Sequence, residues 1–300
     1  MKKIAIICAN GMGDLILMSL LAYNAQLKHS VSIFHISSDR YKTLFPQYEL
    51  LHPDSYKSKD FDLTIVQNDH GELCCLLQDL REKDPSIIFL LPKKSSFQRK
   101  GDFLFNNNIS FIENLKIISK ELFGICIHSS GISIDDLELK KNPNRVLIHP
   151  TTQNKNKTWP IKKFKKLYDY LLEKGYEPYF IMSQEEKKGL DLQGYSHLPT
   201  PSILELAKQI AQSGYFIGCD SGPGHLASSL NVPTLTISFN HNNSLLWKPA
   251  FFFNITITPK LRLDFLSTNK SKIYNFIMHH LIPTYRVKKN FMKLVKGASN

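Results

Sequence analysis

The chain has little cysteine and no pattern that would put it to use. Five occur among 300 residues: Cys8, Cys74, Cys75, Cys126 and Cys219. An odd count, with one adjacent pair and no C-x-x-C, argues against a disulfide framework and offers no zinc-ligand spacing. A reducing cytoplasm is the corresponding expectation. Long apolar runs are also missing, and none approaches the ~20 residues needed to cross a bilayer. The start, Met1-Lys2-Lys3 followed by Ile4–Ala9, imitates a signal peptide. Its apolar part is short, however, and Gly11-Met12-Gly13-Asp14 follows at once, so it reads as a first strand. Low-complexity tracts, short-period repeats and nucleic-acid motifs are not evident, and nucleic acid is not an expected partner.

What the second half lacks is acid. Residues 1–143 hold 17 Lys+Arg against 17 Asp+Glu, whereas residues 144–300 hold 21 against 9, so the whole net charge of +12 falls in the second half. That excess suits an anionic ligand or surface. Solvated helix faces are the plainer reading for Lys162, Lys163, Lys165 and Lys166.

Short apolar runs alternate with helical patterns throughout. Strands are expected at Lys3–Ala9, Val31–Ile36, Phe61–Val66, Ile87–Leu91, Arg145–His149, Pro178–Met182, Tyr215–Gly218 and Pro233–Ile237. Helices are expected at Asp14–Lys28, Leu73–Glu82, Ile112–Phe123, Pro160–Lys174, Ser202–Gln212, Ala227–Leu230 and Lys270–Leu281. Pro160 at the start and Gly175 just past the end of one helix fit the usual asymmetry. Such alternation predicts an α/β fold with parallel sheets covered on both faces. Lys93–Asn108 reads as a polar surface loop and Lys140–Asn144 as a linker. These divide the chain into domains at 1–143 and 144–269, with a C-terminal segment at 270–300.

Three turns at the carboxyl ends of expected strands carry the chemistry, because ligands of open parallel sheets bind there. The first is Gly11-Met12-Gly13-Asp14, where Asp14 either caps the next helix or stands over a ligand. The second is His149-Pro150-Thr151-Thr152 leading through Lys155 and Lys157 to Trp159-Pro160, a loop of hydroxyls and lysines suited to a diphosphate. The third is Cys219-Asp220-Ser221-Gly222-Pro223-Gly224-His225, between a strand and a helix, where unpaired N–H groups and the helix dipole favour an anion. There Asp220 shapes or caps the turn, and His225 either meets a phosphate or packs.

In this order and spacing the three turns resemble glycosyltransferase family 9, the ADP-heptose:lipopolysaccharide heptosyltransferases. Phe61-Asp62-Leu63, Asn231-Val232-Pro233-Thr234 and Trp247-Lys248-Pro249 add to the likeness. Ser19, where a proline is usual, and Asn240, where a glycine is usual, depart from it. The resemblance implies a GT-B fold: two Rossmann-like domains facing across a cleft, with a C-terminal helix crossing back. The first domain would bind the acceptor and the second the nucleotide sugar.

The resemblance also implies roles for residues. Asp14 would be the general base, beside Gly11 and Gly13. Lys157, with Lys155 as rival, and Thr151 and Thr152 would contact the diphosphate, which Asp220, Ser221, Gly222, Gly224 and His225 would face. Glu185 or Glu186 would bind the ribose. It implies inverting transfer of heptose from an ADP-sugar to a lipopolysaccharide inner-core acceptor. No metal and no cofactor are implied, since the ADP-sugar is a donor substrate. A UDP- or GDP-sugar enzyme, or a degenerate binding homologue, are the alternatives. The tail after Pro283 interleaves Arg286, Lys288, Lys289, Lys293 and Lys296 with Phe291, Met292, Leu294 and Val295. It would either lie on an anionic membrane at the inner face or serve as a solubilising extension.

Overall fold

The computed structural model describes residues 1–67, 72–81, 83–91, 98–132, 134, 141–152, 158–239, 244–260 and 281–298, the side chains of 72–74 excepted. They form two compact units, Met1–Ser133 and Ile134–Asn300. Lys155, Lys157, Asn240 and all but the last residue of the helix expected at Lys270–Leu281 lie outside the described residues.

The first unit runs β1 (Lys3–Ile7), α1 (Met12–Gln26), β2 (Ser30–Phe34), α2 (Ser38–Tyr41), β3 (Glu49–Leu51), β4 (Leu63–Gln67), α3 (Glu72–Leu80), β5 (Ile87–Leu91), β6 (Phe103–Leu104) and α4 (Phe111–Phe123). Its sheet has the order β3-β2-β1-β4-β5-β6, parallel throughout. This is the Rossmann order, with its reversal between β1 and β4. The second unit runs β7 (Asn142–His149), α5 (Ile161–Glu173), β8 (Glu177–Met182), α6 (Gln184–Lys187), β9 (His197–Pro199), α7 (Ile203–Ala211), β10 (Ser213–Cys219), α8 (Gly222–Ser229), β11 (Thr234–Ile237), β12 (Asn254–Ile257) and α9 (Thr284–Ala298). Its order, β12-β11-β10-β7-β8-β9, repeats the same topology, with the reversal between β7 and β10.

Local chemistry sets the elements. Helix α1 is buried along most of its length, from Leu15 to Ala25, because it is covered by the sheet and by α4. Its two interior polar groups are satisfied at short range. The Ser19 hydroxyl donates to the Ile16 carbonyl, so the residue standing where proline is usual bonds its own helix. Asn24 bonds the Ile127 backbone in both directions, tying α1 to the chain beyond α4. Helix α4 starts at the Ser110 cap and stops at Gly124, whose φ of 68° is the left-handed conformation glycine accepts cheaply. Helix α5 buries Phe164, Leu167, Tyr168 and Leu171 as its spacing predicts, and Gly175 follows with φ 80°.

Four expectations are corrected. The stretch read as a surface loop at Lys93–Asn108 contains the edge strand β6 and turns Asp102 inward onto a buried Arg81. Asn142–Asn144, read as linker, are the first residues of β7. The short strands β3, β9 and β12 carry too few residues to show a period, and sequence reading passed over them. The tail after Pro283 is the helix α9, packed on α5, β11 and β12 of its own unit. Val287, Phe291 and Leu294 sit in that unit's core, with the Phe291 ring edge-on to Tyr176 and Tyr215, so these side chains are not available to lipid.

Candidate functional site

At the reversal of the second sheet, β7 ends at His149 and β10 at Cys219. His149 is buried, and its ring gathers three partners. Ser221 Oγ lies 3.4 Å from Nδ1, Thr151 Oγ1 lies 3.2 Å from Nε2, and Glu186 Oε1 lies 3.3 Å from Nε2. Glu186 arrives there through a capping box. The Ser183 hydroxyl caps α6 by accepting the Glu186 N–H, while Glu186 Oε2 accepts the Ser183 N–H at 2.8 Å. Its other oxygen accepts the Thr151 hydroxyl at 2.7 Å.

Burial by itself would raise the Glu186 pKa. Hydrogen bonding to and electrostatic attraction by His149, the Thr151 hydroxyl and the Ser183 N–H outweigh it and hold the carboxyl well below its usual range. A depressed carboxyl contributes stability that is present above the unfolded pKa and is lost as pH falls through the folded one. Melting temperature followed from pH 7 downward should therefore favour the native chain over Glu186→Gln at neutral pH. That advantage should shrink below about pH 4.5, the ordinary carboxylate range; a difference that stays constant with pH would refute this assignment.

The same box places the two glutamates differently. Glu185, one position earlier, is exposed and lies 3.8 Å from Lys188. Only Glu186 joins the cluster. Thr152 pairs with Thr158 instead, at 3.2 Å. Trp159 is fully buried, with its indole N–H on the Ile282 carbonyl and its backbone N–H on Cys219 Sγ, and anchors the end of the loop.

Helix α8 begins directly after Ser221, whose hydroxyl makes no capping bond. The hydroxyl turns instead to the Cys219 carbonyl and to His149. Asp220 is thus not the cap, and its N–H extends the sheet by donating to the Ile237 carbonyl. Gly222 and Gly224 form the first turn with Pro223, and a side chain at Gly224 would touch Pro249, so the Trp247-Lys248-Pro249 segment lies against the start of α8. His225 is 4% exposed, and its Nδ1 has no hydrogen-bond partner among the described residues. Burial pushes its pKa down, against the opposing pull of Asp220.

At the reversal of the first sheet, Gly11 is the N-cap of α1 and makes no side-chain cap, and Asp14 lies in the first turn. Asp14 is therefore not the capping residue. A Cβ on Gly11 would collide with Asp14 Oδ2, so the glycine is what lets the carboxylate fold back over the turn. Gly13 lies inside the first turn. Gln67, the last residue of β4, donates from Nε2 to Asp14 Oδ1. His35, just past β2, is buried at the same end of the sheet. Burial lowers its pKa, partly offset by the backbone of Gly11 and Asn10.

Each unit thus brings its candidates to its own sheet reversal: Gly11, Gly13 and Asp14 in the first, and Thr151, Glu186 and Ser221 in the second, with the first turn of α8 following Ser221. A sequence model of glycosyltransferase family 9 (heptosyltransferase) matches residues 113–251, which include the His149 loop and the α8 turn. Over those residues, a little under half of its length, the chain is similar to glycosyltransferase family 9. Lipopolysaccharide heptosyltransferase 3 of Escherichia coli K12 is 29% identical over 170 residues, half of this chain and 47% of that protein. The matches to curated relatives span about a third to a half of those proteins' length. Among solved structures, a family 9 glycosyltransferase from Veillonella parvula superposes with a TM-score of 0.71 at 14% identity, covering 99% of this chain and 97% of its own. Escherichia coli heptosyltransferase WaaC with ADP gives 0.67 at 12% identity, covering 97% and 99%. At that identity the superpositions speak to fold, which is the GT-B fold of two parallel-sheet α/β domains.

The members that sequence reading did not single out are His149 as a hub and Gln67. His149 carried a signal, as the last residue of a strand ahead of Pro150. Gln67 carried only its place at the end of a strand.

Proposed function

We propose that the protein is an inverting glycosyltransferase that moves heptose from an ADP-sugar to a lipopolysaccharide inner-core acceptor. The observation that carries the reading is the repeated Rossmann order. Its two reversal points hold a carboxylate in one unit and an uncapped helix start beside a histidine–glutamate pair in the other. The family match over residues 113–251 and the likeness to the WaaC complex with ADP support the choice of donor.

In this scheme Asp14 takes the proton from an acceptor hydroxyl. The oxygen attacks the anomeric carbon opposite the leaving ADP, through an oxocarbenium-like state. Negative charge grows on the diphosphate, where the α8 N-terminus and Lys157 would offset it. Positive charge for the leaving group comes from the chain rather than from a metal ion. Glu186 would bind the ribose. A carboxylate has about four acceptor positions, so its contacts with Thr151, Ser183 and His149 still leave capacity for a ribose hydroxyl. The lysines of α9 and the +12 charge of residues 144–300 would draw the protein to an anionic membrane by charge, since the apolar side chains of α9 are packed in its own unit's core.

Thermal shift with ADP, UDP and GDP at equal concentration tests the donor. A ligand that binds only the folded state raises stability by RT ln(1 + [L]/Kd), so ADP should raise the melting temperature most. A larger response to UDP or GDP would overturn the ADP-sugar. ADP release from ADP-heptose in the presence of heptose-deficient lipopolysaccharide then tests turnover, and binding without release would leave a binding homologue.

A further inference from the structure

In the first unit, a glutamine that the reaction scheme has not used holds the carboxylate on which the scheme depends. Gln67 is 2% exposed at the carboxyl end of β4. It is engaged at both ends of its amide. Oε1 accepts the Ala9 N–H at 3.1 Å, and Nε2 donates to Asp14 Oδ1. The chemistry dictates that orientation: a backbone N–H can only donate, so the oxygen must face Ala9 and the nitrogen must face Asp14. The anchor is itself fixed, because the Cys8 N–H before it donates to the Phe34 carbonyl at 3.0 Å. On its other side the Asp14 carboxylate lies over Gly11, where no side chain competes for the space. Asp14 is thus clamped between an amide from the neighbouring strand and a bare turn.

We propose that Gln67 is a positioning residue that holds the Asp14 carboxylate in one rotamer, so that it meets the acceptor hydroxyl in a fixed geometry. This rests on the reading of Asp14 as the proton acceptor. An amide suits the place. It satisfies both neighbours, carries no charge to compete with Asp14, and comes from a strand, which holds its position more rigidly than a loop.

Two variants of the full chain test it, assayed with ADP-heptose and heptose-deficient lipopolysaccharide. Gln67→Met keeps the length but removes the donor. It should lower kcat by roughly 10–100-fold, the scale of a small misplacement of a reacting group, and leave the KM for ADP-heptose unchanged. Gln67→Glu keeps the shape and the bond from Ala9 but sets a second carboxyl against Asp14. Two carboxyls sharing one site raise the upper apparent pKa of the pair, so the acidic limb of the kcat–pH profile should move up by about one unit or more. His35 is present in every variant, so comparing the limbs isolates position 67. A purely structural role would lower the folded fraction and leave the limb in place. Wild-type kcat in Gln67→Met, or an unmoved limb in Gln67→Glu, with Asp14→Asn inactive, overturns the positioning role by itself. Near wild-type turnover in Asp14→Asn overturns the assignment of the base and the positioning role with it.

Discussion

Asp14→Ala is expected to lower kcat for sugar transfer by roughly 10²–10⁴-fold, the range associated with a positioned general base, while ADP binds with essentially unchanged affinity. The two halves of this expectation come from different units. Asp14 sits in the first turn of α1, at the β1–β4 reversal of the first sheet. The groups assigned to the nucleotide sit around His149, Glu186 and Ser221 in the second. The substitution should leave the fold intact, since it removes one half-buried side chain from a helix start, at a cost of about 1–3 kcal/mol for taking the acceptor from the buried Gln67 amide. The measurement is ADP release under saturating ADP-heptose, paired with calorimetric titration of ADP. Turnover near that of the native chain would remove Asp14 as the base. Loss of ADP affinity together with turnover would point to a fold defect instead.

The second large effect concerns stability. Asp102→Ala should destabilise the first unit by about 3–5 kcal/mol, the cost of stranding one partner of a buried ion pair. Arg81 Nη1 meets Asp102 Oδ2 at 2.7 Å, with the two side chains 1% and 0% exposed. Asp102 also accepts the Phe89 N–H at 2.9 Å and the Arg99 N–H at 3.0 Å, and the Arg81 guanidinium lies over the Phe89 ring. Arg99 completes the knot by donating to the carbonyls of Arg81, Asp84 and Ile87. The aspartate therefore holds the chain ahead of β6 against β5, and its removal takes a carboxylate away from a buried guanidinium and from two backbone N–H groups. In thermal melts this should appear as a fall of about 6–20 °C, at roughly 2–4 °C per kcal/mol. Replacing both partners by apolar residues, Arg81→Met with Asp102→Leu, should cost far less than the single change, because no charge is then stranded. A single-mutant cost under about 1 kcal/mol would show that the pair is solvated in solution.

This pair also marks a limit of sequence reading. The stretch around Asp102 is polar and basic and looks like a surface loop. Nothing near it in sequence announces that Arg81, 21 residues earlier, turns inward to meet it. The core strands were legible for the opposite reason: burial on both faces of a parallel sheet writes a local apolar run, and β5 falls on the residues its run predicts. Helix α5 was legible through its period and its flanking proline and glycine. The short strands β3, β6, β9 and β12 are defined by hydrogen bonding to a neighbour, which leaves no local signature.

The candidate site divides in the same way. Sequence by itself determined the alternation of strands and helices, the three turns at strand ends, and the residues Asp14, Thr151 and Ser221 that stand on them, because each is a matter of local composition and spacing. Tertiary structure decided which glutamate enters the cluster, that His149 joins Thr151, Glu186 and Ser221, and that Gln67 grips Asp14. It also decided that the basic tail spends its apolar side chains on its own core. Those outcomes rest on partners 53 residues apart for Gln67 and Asp14 and 72 apart for Ser221 and His149. Hydrophobic burial leaves a periodic trace along the chain, whereas a polar side chain takes whichever partner the fold brings within reach, and that pairing has no period to read.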